Sequence, residues 1–467
     1  MHIQTYVGRM AAGLLAALFV GQAALATGLK LEYAEGKFLT VGGDVRVRFE
    51  SWDRDVVWPE GPPPAIGKGS NVEYLRVRTR LMLGLDLWDG AKLDVRLTNR
   101  SHHVSSHYLD PNNPGPATWQ FPDETIVDQL TLTLTDALGV DGLTLKLGRQ
   151  DFILGNGMVM LEGTPYDQGR SIYFDGLTAK YQTECDVLTG FVFYNEYKDD
   201  FVFIDDQNRT LRRGDIFTTG FDWVHTFSDV VKTDLYYIFV DVHDNNTTAS
   251  QRHFEKDSNA RFHTLGARVF GSPNEWLDYS LEVAHQFGDY EENPNVGSPT
   301  EGEADAEGWF VDARLTAKFA DAMFSPKVMF EYSYFSGDDT STTDKYEGWD
   351  PVFAEFPMYR EELLAIMLNG SWTNLHIYRL EANLKLHERV SCTCAAAHLR
   401  ADEGDNGRPG FGGGNGSHFG ELYSAFLDIK LHERVTTKLE SAFFFPGSYW
   451  AGNEQSEWLR WETVFTF

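Results

Sequence analysis

Along most of this chain apolar and polar residues alternate with a period of two, in segment after segment. Leu75, Val77, Leu81, Leu83, Leu85 and Leu87 share one face of a segment whose other face carries Arg76, Arg78, Arg80, Met82, Gly84 and Asp86. Leu93, Val95 and Leu97 oppose Lys92, Asp94, Arg96 and Thr98; Trp309, Val311, Ala313, Leu315, Ala317 and Phe319 oppose Asp312, Arg314, Thr316 and Lys318. Successive side chains of a strand point to opposite faces, so this period specifies strands with one apolar and one polar side. The register is firmly set. A one-residue slip would turn Arg76, Arg78 and Arg80 outward, at ~2–4 kcal/mol for each basic residue near a bilayer midplane.

The punctuation between segments alternates too. Tight breaks fall at Asp89-Gly90, Asp141-Gly142, Ser228-Asp229, Ser272-Pro273-Asn274, Ala320-Asp321, His387-Glu388 and His432-Glu433. Between them lie long polar stretches at 53–71, 101–124, 151–170, 198–214, 243–260, 289–307, 337–373, 401–418 and 446–456. Walking the alternation from segment 39–51 to segment 457–467 gives about 18 strands, an even number that returns the chain to the side where it began. Leu363 to Leu368 is left within a long external loop. The words Lys-Leu-His-Glu-Arg-Val recur at 385–390 and 430–435, each at an inner turn, and read as repeated hairpin chemistry.

The ends say where such a sheet resides. Arg9, the apolar run Met10 to Val20 and Ala24-Leu25-Ala26 have the layout of a secretory signal peptide, residues 1–26, leaving 27–467 as the mature domain. No other stretch approaches the ~18 apolar residues of a membrane helix. Aromatics make up 14% of the chain, and its last residues, Glu462-Thr463-Val464-Phe465-Thr466-Phe467, alternate and end on Phe, as the last strands of outer-membrane barrels do. The expected fold is all-β: a transmembrane, antiparallel up-and-down barrel with short periplasmic turns and long extracellular loops. It would sit as a monomer in the outer membrane, against lipid and lipopolysaccharide.

Several chemistries are disfavoured. The net charge of −29 argues against nucleic-acid binding, and the run 289–307 holds Asp289, Glu291, Glu292, Glu301, Glu303, Asp305 and Glu307 with no Lys or Arg. Cys185, Cys392 and Cys394 are too few for a disulfide scaffold, and Cys392 with Cys394 reads as two small buried residues. His102, His103 and His107 lie near Ser105 and Ser106, but proximity in a loop does not assemble a catalytic constellation. The Gly-rich run 404–416 does not lead from a strand into a helix, so it is a loop rather than a phosphate cradle. No enzyme activity, metal or cofactor is expected. An outer-membrane barrel enzyme, or an adhesin or structural barrel, is the non-transport alternative.

Function should lie on the lumen face. The inward faces of the first three strands carry Arg46, Arg48, Arg76, Arg78, Arg80, Arg96 and Arg100, with fewer carboxylates: Asp44, Glu50, Asp86 and Asp94. Arginines alternating along one face are ~6.6–6.8 Å apart. They repel unless something negative lies between them: interleaved carboxylates, an acidic loop folded inward, or an anionic solute. Rings of Arg or Lys select anions. General diffusion porins also set basic rows against acidic loops, so a general porin without polysaccharide specificity is the alternative.

The stretch Leu145-Lys146-Leu147-Gly148-Arg149-Gln150, then Gly155 and Gly157, then Arg170-Ser171-Ile172-Tyr173-Phe174-Asp175-Gly176, resembles the alginate export family of outer-membrane porins. The resemblance implies an 18-stranded barrel that exports an anionic polysaccharide through a pore constricted by arginines and a few carboxylates, served by periplasmic export machinery. It adds Arg149, Arg170 and Asp175 to the expected constriction. Arg46, Arg48, Arg76, Arg78, Arg80 and Arg96 supply the rest of the positive charge, with Asp86, Asp94 and Asp175 holding the guanidinium groups in place. The expected cargo is an anionic saccharide or small anion moving passively.

Overall fold

The computed structural model describes residues 28–52, 72–104, 118–162, 173–197, 202–204, 214–243, 259–291, 303–339, 341–342, 344–351, 353, 363–364, 372–404, 414, 416–450 and 452–467. The leader expected at residues 1–26 lies outside them. We number only the strands of the barrel wall. They are β1 Lys37–Trp52, β2 Val72–Trp88, β3 Ala91–Val104, β4 Thr118–Leu134, β5 Leu143–Gln150 and β6 Phe174–Gln182. Next come β7 Asp186–Asn195, β8 Asp215–Thr226, β9 Lys232–His243, β10 Ala260–Asn274, β11 Leu277–Tyr290 and β12 Trp309–Lys318. The wall is completed by β13 Lys327–Phe335, β14 Leu375–His387, β15 Val390–Arg400, β16 His418–His432, β17 Val435–Pro446 and β18 Ser456–Thr466.

These form a closed 18-strand antiparallel barrel, each strand paired with its neighbours in sequence. Closure is made by β1 and β18, from Asp44 opposite Thr466 to Trp52 opposite Trp458. Phe467 finishes the seam, exchanging two 2.9 Å backbone hydrogen bonds with Gly43. A closed wall leaves no strand edge unpaired, the condition for putting backbone into hydrocarbon. A short strand, Leu29–Ala34, extends the sheet beyond the C-terminus by pairing with the start of β1. Leu29, Leu31 and Tyr33 alternate with Lys30 and Glu32 there, a signal ahead of residue 39, where the strands counted from the sequence begin.

The alternation sorts as expected. Leu130, Leu147, Leu188, Leu235, Leu265, Leu281, Leu315, Leu380, Leu439 and Leu459 are all exposed on the outer wall. In water such a belt would be untenable; against lipid it is the contact surface. Cys392 and Cys394 share this wall: Cys394 is exposed and Cys392 half-buried, with their sulfurs 3.9 Å apart. They are not the buried pair their small size suggested, because their register places them opposite the inward-facing Thr393 and Ala395.

Three turns differ in detail from the sequence reading. Ser272-Pro273-Asn274 belongs to the end of β10, where the ladder shifts register between Gly271 and Asn274, and the turn is Glu275-Trp276. Proline is tolerated at such an irregularity because no ladder donor is needed there. In the two Lys-Leu-His-Glu-Arg-Val copies the turns are Glu388-Arg389 and Glu433-Arg434. Both place a histidine Nδ1 as acceptor for the amide two residues on, His387 for Arg389 at 3.3 Å and His432 for Arg434 at 3.4 Å.

The long-loop half of the lumen is filled. Phe191, Phe193, Tyr236, Ile238, Phe310, Phe335 and Leu399 point inward and pack with Leu154, Met158 and Met160 from the β5–β6 connection. Trp349, Phe353, Leu363, Leu364 and Trp372 from the β13–β14 connection join the same cluster. The two connections touch: the Leu161 amide donates to the Phe353 carbonyl at 3.0 Å. Gln286 of β11 anchors the second one, exchanging hydrogen bonds of 2.9 and 3.0 Å with the Asp350 backbone. Both connections, expected outside, therefore have described segments within the barrel. Leu363 and Leu364 are each 1% exposed, so this part of the run assigned to an external loop belongs to the lumen core.

Candidate functional site

Below the apolar fill the lumen wall is charged. The ladder between β1 and β2 sets Arg46 opposite Arg78, Arg48 opposite Arg76, and Asp44 opposite Arg80. Like charges in directly opposed positions are destabilising unless compensated. Compensation comes from carboxylates on the same and adjoining strands. Glu462 of β18 accepts from Arg48 at 2.6 and 2.8 Å and lies 3.7 Å from Arg46. Glu50 is paired with Arg76 at 2.7 Å and Arg460 at 2.8 Å, and Arg460 also holds Glu440 at 2.9 Å. Asp44 accepts from Arg78 at 3.0 Å. Arg46, Arg48, Arg78 and Arg80 are all buried within the lumen.

The arginine wall continues into β3, and β5 carries a further arginine–carboxylate pair on its other face. Arg96 donates at 2.8 Å to Asp128 of β4 and, through both terminal nitrogens, at 2.8 Å to Asp151. Arg149 is held bidentately by Asp175 at 2.9 Å, its guanidinium 3.5 Å from the Tyr173 ring centroid. The Gly-Arg-Gln motif thus has a structural reason at each position. Gly148 adopts φ +110°, and a Cβ there would lie 2.2 Å from the Leu130 carbonyl oxygen. The Gln150 amide reaches the Lys146, Gly148 and Gly176 carbonyls, each at 3.3 Å, and Thr178 donates to its oxygen at 3.0 Å.

From Asp151 the chain crosses the lumen as a strap over residues 151–162. Its first residue is tied to Arg96, and Asn156 meets Arg268 of β10 and lies 3.5 Å from Ser280 of β11. Gly155 and Gly157 take positive φ in the strap's turn, and at Gly155 a Cβ would lie 3.4 Å from Asp234.

The far wall has the opposite balance. Asp234, Arg268, Glu282 and Asp312 face one another in succession across β9 to β12. Arg268 pairs with Asp234 at 2.9 Å; Arg314 pairs with Asp312 at 3.0 Å and Glu331 at 2.8 Å. Arg379 pairs with Glu381 at 2.6 Å, and Tyr236 donates to Glu282 at 2.8 Å. On the lumen faces of β1, β2 and β18 guanidinium groups (Arg46, Arg48, Arg76, Arg78, Arg80, Arg460) outnumber carboxylates (Asp44, Glu50, Asp86, Glu462); on β8 to β13 carboxylates outnumber guanidinium groups.

Of the residues expected at the constriction, Arg46, Arg48, Arg76, Arg78, Arg80 and Arg96 share this lumen wall. Arg149 and Asp175 instead pair with each other on the strand face that carries the exposed Leu147 and Leu177, opposite to the inward Gln150 and Phe174, because their ladder register sets them there. Arg170 lies outside the described residues. Asp86 and Asp94 sit toward the short-turn rim, where Asp86 accepts from the Phe38 amide at 3.1 Å and Asp94 pairs with Lys92 at 2.6 Å. The guanidinium anchors are instead Asp44, Glu50, Asp128, Glu440 and Glu462, with Asp151 from the strap. Arg268 and Arg379 of the far wall were missed. Arg314 and Arg460 stood on recognisable polar faces, but their importance depends on neighbours that only barrel closure supplies.

The alginate export family profile matches residues 38–457. The chain belongs to the alginate export family. It is an outer-membrane porin-type barrel, as that membership indicates. No curated protein matches it significantly. Among solved structures it is similar to Pseudomonas aeruginosa OccK11 (OpdR), with TM-score 0.53 and 11% identity, covering 95% of this chain and 99% of that one. It is also similar to OccK1 (OpdK) of the same organism, with TM-score 0.54 and 11% identity over 93% and 100% of the two chains. A third, OccK2 (OpdF), was solved in complex with glucuronate and aligns with TM-score 0.53 and 12% identity over 92% and 98%. At these identities the likeness establishes the fold.

Proposed function

We propose that this alginate export family member is a passive, monomeric channel whose arginine wall forms an anion-selecting constriction for anionic saccharides, uronate polymers among them. The observation that carries the proposal is the direct opposition of Arg46 to Arg78 and of Arg48 to Arg76 on the lumen face. Guanidinium groups concentrated at one level of a confined lumen favour carboxylate-bearing solutes, and their standing pairs with Glu50, Asp44 and Glu462 keep the path from binding cargo too tightly to release. Family membership and the glucuronate complex of OccK2 support the same substrate chemistry. The chain acts as a conduit rather than an enzyme. Periplasmic export machinery would deliver a polymeric cargo.

The acidic far wall favours a second reading, a general diffusion eyelet in which opposed charged walls orient any polar solute. Planar-bilayer recording under a salt gradient separates the two. The first reading gives anion selectivity and current block by polyuronate but not by a neutral glucan of equal length. Weak selectivity with equal response to both polymers would favour the eyelet.

A further inference from the structure

The outer wall carries a histidine arrangement unrelated to the lumen. Several outward histidines near the long-loop rim are stacked on aromatic rings: His263 on Phe287 at 5.1 Å, His285 on Trp309 at 4.2 Å, and His376 on Tyr334 at 4.7 Å. These belong to an interfacial aromatic girdle. His398 and His418 differ. Their rings stack on each other, 5.2 Å apart at 20°, and one carboxylate oxygen of Glu421 lies between them. That oxygen is 2.7 Å from His398 Nδ1 and 3.3 Å from His418 Nε2. Two imidazoles face to face on one carboxylate oxygen repel if both are protonated. When neutral, in the tautomers that leave His398 Nδ1 and His418 Nε2 without hydrogen, they aim two nitrogen lone pairs at the point the carboxylate also faces.

We propose that His398, His418 and Glu421 form a divalent transition-metal site at the outer rim of the barrel. All three ligand atoms lie within 4.8 Å of one another, and both histidines are exposed. A tetrahedral Zn²⁺ with bonds of ~2.0–2.2 Å spaces its ligand atoms about 3.3 Å apart. The His418–Glu421 spacing already has this value, and the His398 contact needs to open by roughly 0.6 Å, a small adjustment for exposed side chains. Two imidazoles and one carboxylate suit Zn²⁺, Co²⁺, Ni²⁺ or Cu²⁺ rather than Ca²⁺ or Mg²⁺. Arg400, exposed and opposite His418 in the ladder, further disfavours cations held by charge alone. Water completes the coordination on the open side.

The position gives the ion a structural task. His398 precedes and His418 follows the connection 401–417, so a bound metal clips the base of that loop and fastens β15 to β16 at their last ladder pair. Closing a loop in this way restricts it without touching the lumen, so the site is independent of the conduction proposal.

The test uses the folded full chain in detergent, without an affinity tag and with the cysteines alkylated so that Cys392 and Cys394 cannot compete. Co²⁺ is titrated and followed by its visible absorption. One saturable equivalent is expected, displaced by one equivalent of Zn²⁺. His418→Ala should abolish it, and Glu421→Gln, nearly isosteric and retaining the fold, should weaken it by about tenfold or more, a scale that even outer-shell losses reach. Heat-modifiable gel migration verifies that each variant is a folded barrel. Absence of a saturable equivalent, or undiminished Co²⁺ uptake by folded His418→Ala and Glu421→Gln, would overturn the proposal and assign any binding to other histidines.

Discussion

Glu50 is the point at which the charged wall is most easily unbalanced. Its side chain is fully buried, paired with Arg76 at 2.7 Å and Arg460 at 2.8 Å, and Arg48 stands 3.8 Å away. Replacing it by Gln removes the anion these guanidinium groups share while leaving the volume nearly unchanged. At an effective dielectric of ~20, each pair near 4 Å represents about 4 kcal/mol of gross attraction. Much of that is returned, because Arg460 keeps Glu440 and Arg48 keeps Glu462. The expected net loss is the ~3–5 kcal/mol typical of breaking a buried pair on one side. Equilibrium urea unfolding of the barrel in phospholipid vesicles, followed by tryptophan fluorescence, measures it. The Glu50→Gln/Arg76→Met double variant should lose less than the sum of the single losses, since the second change removes a cation the first had stranded. A loss below ~0.5 kcal/mol, with additive singles, would refute the reasoning and mean that lumen water screens these charges as it does at an exposed surface.

Other outcomes follow from the same structure. Leu380→Arg, on the outer wall in mid-β14, should destabilise the barrel by ~2–4 kcal/mol in vesicles; a neutral result in that unfolding assay would mean this face does not meet hydrocarbon. Gly148→Ala forces a Cβ to 2.2 Å from the Leu130 oxygen at φ +110° and should cost at least the ~1–3 kcal/mol of a strained backbone, read as a lower folding yield and urea midpoint. Asp402, in the loop after β15, is bonded to Tyr334 at 3.0 Å, the Gly337 amide at 2.9 Å and His376 at 3.1 Å. Burial pushes its carboxyl up, but these bonds outweigh that and hold it below its ordinary value. Its contribution is then full above the unfolded value of ~3.9 and is lost as pH falls through the lower folded value. Hydrogen exchange at the Gly337 amide should accelerate, after correction for intrinsic rates, only in that acidic window, and Asp402→Asn should abolish the pH dependence.

The wall was legible in the sequence because its rule is local. Alternation in Trp309 to Phe319, or in Leu75 to Leu87, needs only a strand and two solvents. The strap and the inner β13–β14 segment were not legible, because what draws them in is distant in sequence: Asn156 finds Arg268, and Asp350 finds Gln286, only after the barrel has closed. The same holds for the charge network. Arg46, Arg48, Arg76 and Arg78 were visible as one face, whereas Glu462 and Arg460 become their partners through the seam between the first strand and the last. Asp86 and Asp94 were assigned as anchors from sharing a face, but strand position decided otherwise: both sit close to the Asp89-Gly90 turn, where Phe38 and Lys92 reach them first. Leu29–Ala34 was legible by the same rule as the wall, since Leu29, Leu31 and Tyr33 alternate with Lys30 and Glu32, but it lies ahead of residue 39, where the counted strands begin.

The most direct test of the central claim is the reversal potential of the purified protein in a planar bilayer under a potassium chloride gradient, compared with Arg76→Ala/Arg78→Ala. Anion selectivity in the native chain, reduced in a double variant that still migrates as a folded barrel, is the predicted result. Cation selectivity in the native chain, or selectivity unchanged by the double substitution, would contradict an arginine constriction.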